Sequence, residues 1–453
     1  MTGLAVYGAK HTRATFCPYM SASGDVRELR HQEPVLRAGI VRRVLFIIRE
    51  WVTAMTIASK LNSALPRRAA RAAASASCAV LLLAQLEAPA FADPTSQAQR
   101  IYERIAGVDP PDATLATMEA DIAGGNALAA AELATADPSF YNVVLKNFVT
   151  PWTNRNQTVF APLNDYTATV IGMVRDDVNF STVLSADILY KSNASGLPPV
   201  SAANNNHYAT AEQDGVDLKA TLVPTTQSAA YGLPTAATAG VMTTRGASSA
   251  FFINGTNRAM FRFTLINHLC TDLNPIMDIT RPPDRVRQDV SRSPGGDSRI
   301  FLNNCIGCHA AMDPMAQAFA YYNFDGVATQ ETLYTPGVVQ AKYLINTQNF
   351  NQGFITPNDS WSNRWRQGPN QVLGWSSALP GSGTGAKSLG QELAASTAFA
   401  QCQVQKVFQA VCYRAPQNQA DRTQVATMVS SFTTGGYKLK QVFAESAVYC
   451  MGP

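Results

Sequence analysis

The chain is poor in charged residues, which make up only 15% of its 453 positions. No run of Lys and Arg follows a groove and no base-stacking module is present, so nucleic acid is excluded as an expected partner. The sequence also lacks internal repeats and long low-complexity tails. Hydrophobic residues reach 46%, which is enough to fill a sizeable core, and uncharged polar residues supply much of the remaining surface, as is common in exported proteins.

Residues 55–92 have the pattern of a secretory signal peptide. A basic stretch is followed by the apolar run at 79–86 and by the small-residue site Ala90-Phe91-Ala92, so cleavage is expected before Asp93. The apolar run is shorter than the roughly 20 residues that a spanning helix needs. We therefore expect no transmembrane anchor after cleavage, and a periplasmic or secreted location in a bacterium.

Residues 1–54 are predicted to be a non-native or disordered extension, because Met55 begins a better-formed signal peptide than Met1 does. An alternative stays open. The segment 41–48 and the Ala-rich stretch after it also fit ordinary helices of a cytosolic domain.

Six cysteines follow the expected cleavage site. Two of them belong to the motif described below, and the other four are compatible with two disulfides, although four cysteines allow three pairings. Cys402 and Cys412 are predicted to lie on one helix, about 15 Å apart. A disulfide requires Cα atoms within about 7 Å, so these two are not expected to pair with each other. The four are Cys270, Cys402, Cys412 and Cys450.

Apolar residues recur mostly at helical spacing, which predicts a mainly α protein. We divide the mature chain into an N-terminal helical domain (93–240), a central domain (241–390) and a C-terminal helical domain (391–453). Within the central domain, residues 331–390 are predicted to form a loop-rich insertion, because periodic apolar patterns are missing there.

One motif carries recognisable chemistry, and it reads Cys305-Ile-Gly-Cys308-His309. Two thiols three residues apart on a helical turn can reach both vinyl groups at one edge of a porphyrin, and the next residue places its imidazole on the iron. Gly307 keeps this turn uncrowded where backbone and macrocycle approach each other. The motif predicts one covalent haem c bound through Cys305 and Cys308, with His309 as an axial iron ligand, and no catalytic residue is assigned.

Two other uses of a Cys-x-x-Cys pair fit less well. A redox dithiol normally lies on a thioredoxin-like βαβ unit, and the required strand pattern is missing. A zinc site needs a second pair at the usual spacing, which the sequence does not offer. Covalent haem attachment takes place outside the cytoplasm, so the motif and the signal peptide support each other.

The segment after the motif leaves the second axial ligand open. Asp313-Pro314 predicts that the haem helix ends or kinks there. Met312 is too close to His309 in sequence to cross to the opposite face of the ring, and no Met or His occurs between Val327 and Gln401. The candidates for this ligand are His207, Met242, Met260, His268, Met277, Met428 and Met451.

The stretch from Cys305 to Gly326 resembles the haem segment of the planctomycete-type cytochrome c domain proteins. In that family the haem motif is followed by Met-Asp-Pro and, about ten residues later, by Asn-Phe-Asp, as here at Met312 and Asn323. The resemblance extends more weakly over roughly residues 140–450, including the helices that lead to Cys270 and the helical segment 399–450. It implies a cytochrome c-like haem segment within a larger helical protein, and a C-terminal helical domain of unknown function.

The chain departs from the family in two places. It lacks the Gly-Arg pair usually found after Cys412-Tyr-Arg414, and residues 331–390 match no known pattern. Motif and export together favour a monohaem electron carrier that serves a redox partner protein in the periplasm or envelope. Two alternatives stay open, namely a peroxidase-like or oxygenase-like haem enzyme with an open iron position, and a binding or scaffold subunit whose haem is structural.

Overall fold

Helices account for most of the described residues, as the apolar periodicity predicts, and the fold is mainly α. The computed structural model describes residues 93–253 and 255–452, which belong to one compact unit beginning at Ala92. The predicted extension (1–54) and the predicted signal peptide (55–92) lie outside the described residues. Strands are limited, in the part of the chain that the structure describes, to three two-stranded antiparallel sheets.

The first described helix shows how local sequence sets the helix ends. The side chain of Asp93 accepts a hydrogen bond from the Ser96 N–H and caps the helix start, and Gly107 ends the helix in a left-handed conformation with φ of 74°. With this first helix, the helices before the first sheet are α1 (Pro94–Ala106), α2 (Asp112–Ala123), α3 (Ala127–Ala134), a π-helical turn (Phe140–Leu145), α4 (Lys146–Val149) and α5 (Asp165–Arg175).

The middle of the chain contains the first sheet and the helices that lead to the cysteine motif. Strand β1 (Leu189–Ser192) pairs with β2 (Leu222–Thr225), with Leu189 opposite Thr225. The helices here are α6 (Asn206–Gln213), α7 (Leu218–Thr221), α8 (Gln227–Tyr231), α9 (Arg245–Phe251), α10 (Arg258–Leu269), α11 (Ser298–Ile300), a π-helical turn (Phe301–Cys305) and α12 (Ile306–Ala316).

The predicted loop-rich insertion (331–390) contains the second strand of the second sheet, both strands of the third sheet and few helical turns. Strand β3 (Tyr322–Phe324) pairs with β4 (Thr332–Tyr334), and β5 (Ser360–Ser362) pairs with β6 (Ser382–Thr384). Short 3₁₀ turns occur here and elsewhere, at Thr150–Thr153, Phe180–Thr182, Asn274–Ile276, Pro294–Gly296, Gln317–Phe319, Ala341–Tyr343, Arg364–Arg366 and Pro369–Leu373.

Four helices complete the chain, and one disulfide ties them to the rest while a second lies within the C-terminal segment. They are α13 (Gly385–Ala394), α14 (Thr397–Cys412), α15 (Gln419–Thr434) and α16 (Leu439–Tyr449). Cys270 pairs with Cys402, and Cys412 pairs with Cys450. The first bond joins the end of α10 to α14, and the second joins the end of α14 to the residue after α16. The expectation that Cys402 and Cys412 do not pair with each other is confirmed.

One hydrophobic core runs through helices from all three predicted segments. Helix α14 packs against α10, α15 and α16, and α16 also packs against α1 and α3. Helix α10 contacts α12 as well, so it lies between the C-terminal helices and the cysteine motif. Within the described ranges, no helix is long and apolar enough to cross a membrane.

The sequence predicts that the motif helix ends or kinks at Asp313-Pro314, and the structure shows that it does not end there. Helix α12 includes Pro314 and continues to Ala316. Proline removes one backbone hydrogen bond from a helix interior, but Met312 to Ala316 are all buried, so tertiary packing holds the last turn in helical form. Asp313 therefore faces the interior from within a helix.

Candidate functional site

The predicted haem motif lies where a π-helical turn passes into α12. Cys305 is the last residue of that turn, and Cys308 and His309 lie in the first turn of α12. The side chain of His309 is 12% exposed, Cys308 is half-buried and Cys305 is buried. Leu302 to Asn304, directly before the motif, are exposed. The motif thus lies at the protein surface, on a helix whose second half enters the core.

Apolar side chains surround the first cysteine. Cys305 belongs to a small buried cluster with Val286, Phe301, Ile306 and Ala310, separate from the main core. The edge of a porphyrin requires apolar surroundings of this kind.

The glycine of the motif also allows a close approach within the protein itself. A Cβ added to Gly307 would lie 3.2 Å from the Cβ of Met277, and the N–H of Asp278 donates to the Gly307 carbonyl at 2.9 Å. A neighbouring segment of this same chain therefore approaches the helix at Gly307. At about 100° per residue, positions 307 and 309 point about 160° apart around the helix, so this segment lies on the face away from His309.

His309 is oriented by a carboxylate one turn further along α12. Its Nδ1 lies 3.2 Å from Oδ1 of Asp313, whose side chain is fully buried. An ionised carboxylate only accepts hydrogen bonds, so Nδ1 carries the proton and donates. This hydrogen bond fixes the neutral tautomer in which Nε2 is the nitrogen that would bind a metal.

Asp313 is in turn held by Arg258, the first residue of α10. The guanidinium bonds both carboxylate oxygens of Asp313, with Nε to Oδ1 at 2.6 Å and Nη2 to Oδ2 at 2.8 Å. The same guanidinium also contacts both oxygens of Asp289. Bidentate pairs of this type are strong and geometrically specific. Arg258 therefore bridges two carboxylates and fixes the position of Asp313 against His309.

The cluster is balanced in charge despite its burial. Arg287 is 1% exposed; its N–H donates to Asp313 at 3.3 Å, and its guanidinium Nε lies 3.9 Å from Asp289. Two guanidiniums thus face two carboxylates. Burial alone would raise the pKa of Asp313, but Arg258 and His309 outweigh burial and hold this pKa well below its usual range. Asp313 is therefore ionised at neutral pH.

Residues of the loop-rich insertion pack against the ion cluster of Asp313, Arg258, Asp289 and Arg287. The guanidinium of Arg287 lies 4.3 Å from the centroid of the Tyr343 ring, a cation–π distance. The hydroxyl of Tyr343 donates to the carbonyl of Ala316 at the end of α12, and the N–H of Phe354 donates to the carbonyl of Val286. The insertion thus shields the ion cluster behind His309 from solvent.

The donor set fits a c-type haem. Two thiols and an imidazole project from adjacent turns of one helix, the imidazole has its proton on Nδ1, and an apolar cluster surrounds one thiol. In the described part of the chain, no group of three or more His, Cys, Asp or Glu is arranged to hold a bare metal ion. A haem supplies its own pyrrole nitrogens and does not require such a group.

The candidates for a second axial ligand are distributed over the fold. His268 is hydrogen-bonded to the hydroxyl of Tyr166 at 2.8 Å, and it lines a cavity of about 10 Å³ together with Met242 and Met260. Nε2 of His207 accepts from the Ser192 N–H. The remaining three also have defined places: Met277 lies over Gly307, Met428 is buried against Ser446, and Met451 packs at the edge of the core.

Sequence reasoning missed the residues behind His309. The signal for Asp313 is present in the sequence, because residues four apart on a helix lie on one face, but the proline after Asp313 predicts a helix end or kink there instead. Arg258 and Asp289 carry no local signal, since they reach Asp313 through tertiary packing.

Comparison with known proteins does not add to this geometry: no protein-family model matches the chain, and no curated protein and no solved structure is similar to it. The resemblance to the planctomycete-type proteins therefore stays a prediction.

Proposed function

We propose that the chain is an exported c-type cytochrome that binds one covalent haem through Cys305 and Cys308, with His309 on the iron, and exchanges electrons with a redox partner protein. The observation that carries this proposal is the hydrogen bond from Nδ1 of His309 to the buried carboxylate of Asp313. Histidines that bind metals almost always donate their second ring N–H to a carboxylate, a carbonyl or water. The attachment motif and this support lie on the same helix.

The haem, when bound, supplies a one-electron couple. The chain's own residues contribute the rest: two thiols that anchor the ring, an imidazole in a fixed tautomer, and an apolar cluster beside Cys305. Because the motif lies at the surface and Leu302 to Asn304 are exposed, a partner protein can approach this end of the helix. This supports electron transfer as the function.

Export is part of the proposal, and the disulfides support it. Disulfides form and persist in oxidising compartments and are rare in the cytosol, and the chain has two. We expect the mature chain from an envelope fraction to begin near Asp93. Its intact mass decides this, and a chain that retains Met1 would contradict the export proposal.

The haem itself is tested by its survival on a denaturing gel. Protein made in a bacterial periplasm with haem-attachment machinery should carry one iron per chain and haem that stays bound after denaturation. The double variant Cys305→Ser/Cys308→Ser should lose that haem. The control Cys412→Ala/Cys450→Ala also removes two cysteines, those of a disulfide, and should keep the haem. Full haem content in the first double variant would refute the proposal.

Electron transfer is separated from haem catalysis by ligand binding. The reduced protein is treated with carbon monoxide, and the oxidised protein with cyanide. An electron carrier with two axial ligands should show little rapid change in its visible spectrum, whereas an open iron position would give a prompt change and favour the haem enzyme instead.

A further inference from the structure

We infer that Asp313, acting through His309, is a positioning residue that lowers the reduction potential of the haem. This inference rests on the function proposed above and deepens it, because it names a residue that sets the redox property of the site. The ion cluster of Asp313, Arg258, Asp289 and Arg287 is the structural basis.

The first step is the hydrogen bond itself. A carboxylate that accepts from Nδ1–H draws the proton toward itself and makes Nε2 a stronger electron donor. A stronger donor stabilises ferric over ferrous iron, which lowers the potential, and second-shell hydrogen bonding of this kind is one of the main levers on haem potential.

The second step is that the carboxylate is held in place by positively charged partners. Asp313 is fully buried and receives two hydrogen bonds from Arg258 and one from the N–H of Arg287. These contacts leave the carboxylate little freedom to rotate away from His309. These contacts also withdraw negative charge from the carboxylate. Its effect on the electron donation of the imidazole should therefore lie at the lower end of the range for carboxylates that accept from a metal-binding histidine.

Asp289 provides a matched control within the same cluster. Its side chain is also nearly buried at 9% exposure, and it bonds the same guanidinium. The structure shows contacts from Asp289 to Arg258 and Arg287, while Asp313 is the carboxylate bonded to His309. A role that is only structural predicts similar effects from both aspartates, whereas the inferred role predicts a difference.

The test measures the reduction potential of the haem-loaded protein by spectroelectrochemistry, together with the g values of its ferric resonance spectrum. Asp313→Asn keeps the shape and an acceptor oxygen but removes the charge. We expect about a tenfold loss in the stability of ferric relative to ferrous iron, which is a rise of about 59 mV for a one-electron couple. Asp289→Asn should give a much smaller rise, with g values close to those of the wild type.

A second variant keeps the inference testable if Asp313→Asn does not fold. Arg258→Lys retains the positive charge but cannot form the bidentate pair. Asp313 then gives more of its charge to His309, so the potential should fall below that of the wild type. Loosened packing alone would not make these two variants shift in opposite directions.

Two failures are distinguishable. A wild-type protein without covalent haem would refute the proposed function and this inference with it. A haem-loaded protein whose potential is the same in Asp313→Asn as in Asp289→Asn, or rises in Arg258→Lys, would refute the inference alone.

Discussion

Removal of the Cys270–Cys402 disulfide should cost more stability than removal of Cys412–Cys450. The first bond closes a loop with a sequence separation of 132 residues and the second a loop of 38. Loop-closure entropy then gives about 5 kcal/mol for the first and about 4 kcal/mol for the second at 25 °C. The difference arises in the unfolded chain, because a longer closed loop loses more conformations.

The measurement is urea unfolding of the oxidised wild type and of two double variants, Cys270→Ala/Cys402→Ala and Cys412→Ala/Cys450→Ala, followed by far-ultraviolet circular dichroism. Alanine is chosen because Cys402 and Cys412 are buried among apolar side chains, where serine would add an unsatisfied hydroxyl. A strong reductant breaks both disulfides of the wild type but only the one that remains in each variant. It should therefore lower the free energy of unfolding most in the wild type.

The reasoning would be refuted if the Cys412–Cys450 variant were the less stable of the two. It would also be refuted if neither variant lost more than about 1 kcal/mol, well below the usual 2–4 kcal/mol for a native disulfide. In that case the two bonds would be incidental to the fold, and their support for an oxidising location would weaken.

Two further predictions concern Lys342, which is half-buried, and the buried Met312. Burial, assisted by Arg287, lowers the pKa of Lys342 to about 7, whereas in the unfolded chain this pKa is about 10.4. Unfolding between these pH values therefore takes up a proton, so the free energy of unfolding should increase as the pH rises above 7. Urea midpoints measured at pH 6.5 and pH 9 should show this increase for the wild type, and Lys342→Met should abolish it. Met312 is buried in the main core on the same helix as His309. Met312→Leu should therefore leave the visible and magnetic spectra of the haem nearly unchanged and lower the free energy of unfolding by less than about 1.5 kcal/mol. Loss of a sulfur-ligated spectrum in this variant would show that Met312 is an iron ligand.

The mainly α fold could be predicted from the sequence because its signals are local. The apolar pattern from Phe261 to Leu269 becomes α10, which begins only three residues earlier, at Arg258. Gly435-Gly436 falls in the break between α15 and α16, as expected of residues that weaken helices. The placing of Cys402 and Cys412 on one helix is likewise confirmed.

The support behind the motif could not be predicted, because it depends on side chains that meet only in three dimensions. The stretch from Pro275 to Asp297 is rich in Pro and Arg, a composition that is typical of a linker. In the structure it places Val286 and Arg287 in the interior and Asp289 against Arg258. A buried arginine between carboxylates has no sequence signature, since its burial is stable only when its partners are already in place.

The Cys270–Cys402 bond has a consequence for a chain that is cut by a protease. Residues 344–352 are exposed apart from the half-buried Phe350, and exposed loop segments are where proteases cut first. Any cut there falls between the two bonded cysteines. The disulfide would keep the two fragments covalently linked, with helices α10 and α14 still joined, so a single cut would not separate them.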